Sequence, residues 1–480
     1  MKNFFLNSLF YRIILNLAIK PAFVLGIDLA VQNRVGHQQY GMYFSMYNLT
    51  LIFSILLDFG ITNFNNRHIA MYRFLLSKYL GSIIIARLIL GLLYSIILII
   101  VAILFKYPAN QYPLLMVMIL NQFLLQFILY IRSNLSAQLL FTKDTFLSVL
   151  DRILLILMLG SLLIANIPFG IAWYIYAHSI AYIITLITAI LLLKPYLSKI
   201  VFRFNAARIA VILKQSFPFA VLVFFMAIYN RFDGFIIERI LPNGKEQAGI
   251  YAQCYRLLDS WNMISILFVS ILYPVFANSL KNNAIIINLF KISGILLLIP
   301  SLVLSIGIAF YAKTILQLLY THYTETTVVT LQIIILSGVP TAISYLYGTY
   351  LTAAGKLKIL NKIAAFALLF NIPATLLFIQ WFGVPGAALA TVLTHILVAV
   401  PEFYVTAKTL KLKINLIQTV KIILLICILI FAALIFYVIL GNNSSALLAY
   451  LLVAILSILL LKIISPQMIK LFLTHYFTAK

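Results

Sequence analysis

The stretch Leu80-Gly-Ser-Ile-Ile-Ile-Ala-Arg87-Leu-Ile-Leu-Gly-Leu-Leu-Tyr-Ser-Ile-Ile-Leu-Ile-Ile-Val-Ala-Ile-Leu-Phe105 carries a single charge, Arg87, and no proline. A helix needs roughly 20 apolar residues to cross a hydrocarbon layer, and this run exceeds that. It lacks the apolar/polar alternation of a barrel strand. Similar runs recur along all 480 residues, of which 64% are apolar or aromatic and 9% charged, with a mean hydropathy of +1.11. A soluble chain has about a quarter of its residues charged. This surface must face lipid instead, and lipid admits only helices or a closed barrel, since every backbone N–H and C=O must be paired. The fold class is an all-α polytopic membrane protein.

Outward from that run, fourteen transmembrane helices are predicted. They lie near residues 10–31, 40–60, 80–105, 111–139, 146–165, 169–193 and 213–236, then 249–275, 289–311, 327–352, 361–380, 384–407, 419–440 and 445–464. The first run has no small-residue cleavage site after it and reads as a span, not a signal peptide. Connections are short, the longest outer one covering about residues 312–326.

The net charge is +24, from 34 basic and 10 acidic residues. With the N-terminus inside, the cytoplasmic side collects Lys2, Arg12, Arg67, Arg73, Lys78, Lys143, the group from Lys194 to Lys214, Lys281, Lys291, the group from Lys356 to Lys362, the group from Lys408 to Lys421, and Lys462 to Lys480. The outer side holds Arg34, Lys106, Arg239, Lys245 and Lys313. This bias places both termini in the cytoplasm and accounts for most of the charge. Nucleic acid is therefore not an expected partner, because the basic residues sit between apolar runs and form no patch. Cys254 and Cys427 both fall in spans and read as small apolar residues. No metal-ligand spacing, phosphate loop or nucleophile elbow is present, so no metal, cofactor or catalytic residue is expected.

The chain repeats itself. Gln39-Tyr-Gly41-Met-Tyr43-Phe-Ser-Met-Tyr47-Asn-Leu49 opens the second span and Gln247-Ala-Gly249-Ile-Tyr251-Ala-Gln-Cys-Tyr255-Arg-Leu257 the eighth. Pro168-Phe-Gly170 with His178 in the sixth span is echoed by Pro385-Gly386 with His395 in the twelfth. Six helices followed by six in the same orientation predict an N-lobe over 1–210, a C-lobe over 211–410, and two further helices with a cytoplasmic tail over 411–480. Parallel repeats are a transporter signature, with the substrate site between the halves.

Charges inside membrane helices cost about 2.5–3.5 kcal/mol each on insertion scales and usually face a wet interior. Lys20 lies mid-span beside Pro21, with Asn16 one turn earlier on the same face. Arg231 and Asp233 follow Asn230 in the seventh span, and Arg256 and Asp259 are three apart in the eighth. Arg87 lies in the inner half of the third. One reading is a cationic cavity for an anionic group, built from Lys20, Arg231, Arg256, Arg87 and Asn16. Asp28, Asp233 and Asp259 would then hold the basic groups or bind a coupling ion, proton or sodium. The other reading has each charge paired internally or reaching to an interface. Asp58, Arg132, Asp151 and Arg152, near span ends, fit the second. His178 and His395 read as proton carriers or as packing residues.

The order of motifs resembles the Wzx-type flippases, the polysaccharide-export branch of the MATE-like multidrug/oligosaccharidyl-lipid/polysaccharide (MOP) exporter superfamily. The similar segments are Gln39-Tyr-Gly-Met-Tyr43 running to Leu57-Asp-Phe-Gly-Ile61, Gly249-Ile-Tyr251, Ala353-Ala-Gly-Lys356, and Gly383-Val-Pro-Gly-Ala-Ala-Leu-Ala-Thr391. The resemblance implies two six-helix lobes around a central cavity, with two appended helices. It implies a transporter, not an enzyme, in a bacterial inner membrane, moving a polyprenyl-diphosphate-linked oligosaccharide of O-antigen, lipopolysaccharide or capsule type to the outer leaflet by alternating access. Polysaccharide polymerase machinery would be the partner downstream, and a monomer would suffice. The rival readings are a cation-coupled drug or metabolite antiporter on the same fold, a peptidoglycan-precursor flippase and, from another class, a membrane glycosyltransferase or polymerase. The short outer loops argue against the last.

Overall fold

In the computed structural model the chain is helical, as lipid requires of each backbone group, and no strand occurs among the described residues. Residues 15–62, 76–138, 140–165, 167–196, 206–280, 282–412 and 416–463 are described. The start of the first span, the basic segment with Arg67 and Arg73, and the C-terminal tail lie outside them.

The chain forms two compact units, Met1–Gly249 and Ile250–Lys480. In the first, α1 (15–35) and α2 (37–53) are one helical run bent at Gly36, whose φ of 75° and ψ of 173° replace the expected loop. Glycine tolerates this backbone where other residues would be strained. α1 loosens into a π-helical stretch over Phe23–Asp28. α2 continues into the short helix Ile55–Asp58. Then follow α3 (Leu76–Leu104), α4 (Tyr112–Ala137), α5 (Phe141–Ile164), α6 (Ile171–Leu193), α7 (Ala206–Ile240) and the first turn of α8 (Gly244–Ser279).

The rest of α8 lies in the second unit with α9 (Asn283–Phe310). α10 runs Glu325–Ile334 and Gly338–Ala353, joined by a 3₁₀ turn at Ile335–Ser337. α11 (Leu357–Phe382), α12 (Val384–Leu410), α13 (Leu416–Leu440) and α14 (Ser444–Leu460) complete it. The long outer connection contains a short helix, Ala312–Leu319, where a loop was expected.

Eleven helices among the described residues are long and apolar enough to span a membrane, against the fourteen expected. The difference has three sources. α1 and α2 form one 44-residue run, Leu15–Asp58. α8, which carries Arg256 and Asp259 in its first half, is not among the eleven. α14 is only 17 residues long.

Lipid offers no hydrophobic drive between helices, so close packing and buried hydrogen bonds hold them. Tyrosines supply many of these bonds. Tyr94 donates to the Thr50 carbonyl at 3.0 Å, tying α3 to α2. In the second unit Tyr311 donates to the Ala433 carbonyl at 3.1 Å and Tyr450 to the Val303 carbonyl at 2.8 Å, docking α13 and α14 on α9. Leucines and isoleucines point outward instead, as Leu92 at 65% and Leu369 at 74% exposure show.

The repeated glycines explain themselves within the first unit. A Cβ on Gly41 would overlap the backbone of Lys245 and Gly249, and one on Gly249 would overlap the His37 backbone. Here α2 and the first turn of α8 meet backbone to backbone. Overpacking a tight contact costs typically 1–3 kcal/mol. Gly41→Ala and Gly249→Ala should therefore each lower thermal stability of the purified protein by about that amount. Gly26→Ala, where no atom lies within 4 Å of the added Cβ, should be nearly neutral. Equal melting temperatures for all three variants would contradict the close approach.

Candidate functional site

Asp28 closes the π-helical stretch of α1 and is buried, 1% exposed. Its carboxylate accepts hydrogen bonds from the Tyr40 hydroxyl at 2.9 and 3.0 Å and from the Tyr174 hydroxyl at 2.5 Å. Tyr40 comes from α2 and Tyr174 from α6, so one carboxylate joins three helices. Around it the Tyr174 ring meets Tyr43 edge-on at 5.1 Å and His178 at 4.5 Å. His178 Nδ1 lies 2.8 Å from the Tyr174 carbonyl. A hollow of about 20 Å³, room for about one water, is bounded by Tyr43, Tyr47, Asn121, Gln122, His178 and Tyr182.

The second feature of this unit is a polar cavity of about 350 Å³. Ser54, Asp58, Gly60 and Thr62 line it from the end of α2, Gln126, Arg132, Ser133 and Ser136 from α4, and Asp144 from α5. Its charges are neutralised in place. Arg132 Nε binds Asp144 at 2.8 Å. Behind it, Arg87 is 1% exposed and pairs with Asp58. Arg87 also donates to Thr62 Oγ1 at 2.8 Å and to the Gln126 carbonyl at 3.0 Å, and its guanidinium lies 4.6 Å from the centre of the Tyr130 ring.

The other residues singled out in the sequence fall as follows. Asn16 is buried and donates to Ser148 Oγ on α5 at 3.0 Å, linking α1 to α5. Lys20, on the same face of α1, is half-buried, as is Arg231 on α7, and both take part in polar or electrostatic contacts. Asp233 is buried and accepts from the Gly234 N–H at 2.8 Å. In the second unit, Arg256 and Asp259 pair at 3.8 Å across one turn of α8. Arg152 pairs with Asp151 at 3.6 Å and stacks over Phe23 at 4.8 Å. Tyr40 and Tyr174, which hold Asp28, were not singled out. The signal for Tyr40 was its place in the repeated motif; Tyr174 stands four residues past Gly170 of the second echo. Among the described residues no group of three His, Cys, Asp or Glu side chains could hold a metal ion.

These features define a multi-pass α-helical membrane protein with a buried, tyrosine-held carboxylate and a polar cavity of paired charges. The fold is shared with a lipid II flippase and with MATE transporters of known structure. The chain is similar to the lipid II flippase MurJ in an inward closed conformation, with a TM-score of 0.69 at 17% identity over 95% of this chain and 96% of that one. It is similar to a eukaryotic MATE transporter, with a TM-score of 0.60 at 16% identity over 84% and 98%. It is also similar to a MOP superfamily transporter from Pyrococcus furiosus, with a TM-score of 0.59 at 14% identity over 85% and 95%. The family model for polysaccharide biosynthesis proteins matches residues 9–280, more than half of the chain, and the chain belongs to that family. No curated protein sequence matches it.

Removing one partner of a buried ion pair costs about 3–5 kcal/mol, because the other charge is left uncompensated. Arg87→Ala should therefore strongly reduce the folded fraction on size-exclusion chromatography. Replacing Arg87 and Asp58 together by leucine should restore much of it. A double variant as damaged as the single one would show that the pair is not what the site depends on.

Proposed function

We propose that this protein flips a polyprenyl-diphosphate-linked oligosaccharide, an O-antigen or capsule-type repeat unit, from the cytoplasmic to the outer leaflet of a bacterial inner membrane. The observation that carries the reading is a polysaccharide biosynthesis family match on a chain folded like a lipid II flippase.

The physical case supports it. Sugar hydroxyls and a diphosphate cannot enter hydrocarbon without replacement of their hydration. Half-buried cations on membrane helices can replace it for the diphosphate, Lys20 as a point charge and Arg231 as a bidentate fork. Arg256 is the third cationic candidate and would exchange Asp259 for a phosphate oxygen. Arg87, locked to Asp58, would shape the polar cavity without touching phosphate. Hydroxyl, amide and carboxylate groups such as those lining that cavity suit sugar hydroxyls. Transport by alternating access would draw on a proton or sodium gradient through Asp28 or Asp233. Polymerase machinery would take the flipped unit, both termini would face the cytoplasm, and one chain would suffice.

The buried carboxylate of Asp28 favours a second reading, a cation-coupled drug or metabolite antiporter, and the same variants separate the two. Lys20→Ala and Arg231→Ala should each abolish surface glycan display while leaving the amount of protein in the membrane unchanged; Lys20→Arg should retain part of it. Normal display from both alanine variants at normal protein level would sink the cationic assignment. Loss of drug tolerance without loss of glycan would favour the antiporter.

A further inference from the structure

Glu402 is a buried acid inside a membrane-spanning helix. It stands on α12, 6% exposed. Its carboxyl lies against α10 at Gly348, where an added Cβ would come within 3.0 Å of Oε1 and 3.3 Å of Oε2. The glycine thus provides the notch that receives it. Ser344 stands one turn earlier on α10.

The remaining acids are accounted for differently. Asp58, Asp144, Asp151, Glu238 and Asp259 each face an arginine, and Glu325 faces Lys313. Asp28 has its tyrosines and Asp233 a backbone N–H. Glu246 is exposed. Glu402 is buried and forms no ion pair among the described residues, and its Oε2 has no hydrogen bond.

Its neighbours supply no charge. The titratable groups on the helices packed against α12 are Glu325, Tyr345, Tyr347 and Tyr350 on α10, and Lys358 and Lys362 on α11. α12 itself carries His395, Tyr404 and Lys408. Among the described residues none of these groups forms an ion pair with Glu402. Glu402 Oε2, Ser344 Oγ and Thr406 Oγ1, one turn further along α12, each lack a formed hydrogen bond.

An ionised carboxylate in such a place is strongly disfavoured, whereas a neutral carboxyl is not. A proton removes the charge and turns an acceptor-only group into an O–H donor that Ser344 Oγ can accept. We propose that Glu402 is a proton-binding site of the second unit, occupied in the conformation described here. A hard metal cation would need a shell of several oxygens, and one carboxylate beside one hydroxyl does not make one. Pro401 stands immediately before Glu402 and leaves the Leu397 carbonyl without its helical N–H partner. α12 can bend there, and bending that admits water would release the proton. The site would give the chain a place to exchange protons whatever its cargo is.

Infrared spectra of the full chain in lipid nanodiscs at pH 7 test this. The wild-type minus Glu402→Gln difference should show the carbonyl stretch of a protonated carboxyl, unchanged when sodium chloride replaces choline chloride. If Glu402→Gln fails to accumulate, Glu402→Asp should shift the same band. A carboxylate band in the difference spectrum would overturn the proposal, as would a band that responds to sodium at constant pH.

Discussion

Five residues, Gln39 to Tyr43, must satisfy several helices at once. Gln39 Oε1 accepts the Ile171 N–H at 3.1 Å and so caps the start of α6. Tyr40 binds Asp28 on α1, Gly41 lies on the backbone of the first turn of α8, and the Tyr43 ring packs on Tyr174. The first four N–H groups of any helix need partners from outside it, and in a membrane water cannot supply them. A side chain from α2 therefore does so for α6. The position of the buried carboxylate follows, because Tyr40 and Tyr174 are both placed by the same contact. The second copy of the motif works alike in the other unit, where the Tyr251 hydroxyl lies 3.2 Å from Thr391 Oγ1 on α12. The repeat is thus a repeat of helix-to-helix contacts.

The charges obey a second constraint. Arg87, Arg132, Arg152, Arg239 and Arg256 each have a carboxylate, from Asp58, Asp144, Asp151, Glu238 and Asp259 respectively. Arg239 also stacks over Tyr107 at 4.0 Å. Pairing removes the penalty of a lone charge in lipid and leaves the chain's excess of positive charge to its connections. A diphosphate entering the protein would have to compete with a carboxylate for any paired arginine. Lys20 and Arg231, half-buried on membrane helices, carry the proposed cargo contact.

Helices and repeat were legible in the sequence because both are local or periodic. Twenty apolar residues announce a span, and Arg256 with Asp259 announces its own pairing at three-residue spacing. What lay beyond the sequence depended on distant partners. Nothing in the spacing of Asp58 and Arg87, or of Arg132 and Asp144, predicts which acid meets which base. The bend at Gly36 replaced a loop because one glycine at positive φ suffices to turn the chain. The burial of Glu402 was not legible either, because it depends on Gly348, more than fifty residues earlier.

The central claim is translocation of a lipid-linked oligosaccharide. The most direct measurement is the leaflet in which that lipid resides in cells with and without this gene, read by access of an added glycan-modifying enzyme to spheroplasts and to inverted vesicles. Loss of the gene should trap the complete oligosaccharide on the cytoplasmic face, and restoring the gene should return it to the outer face. An unchanged distribution between the leaflets would contradict the account.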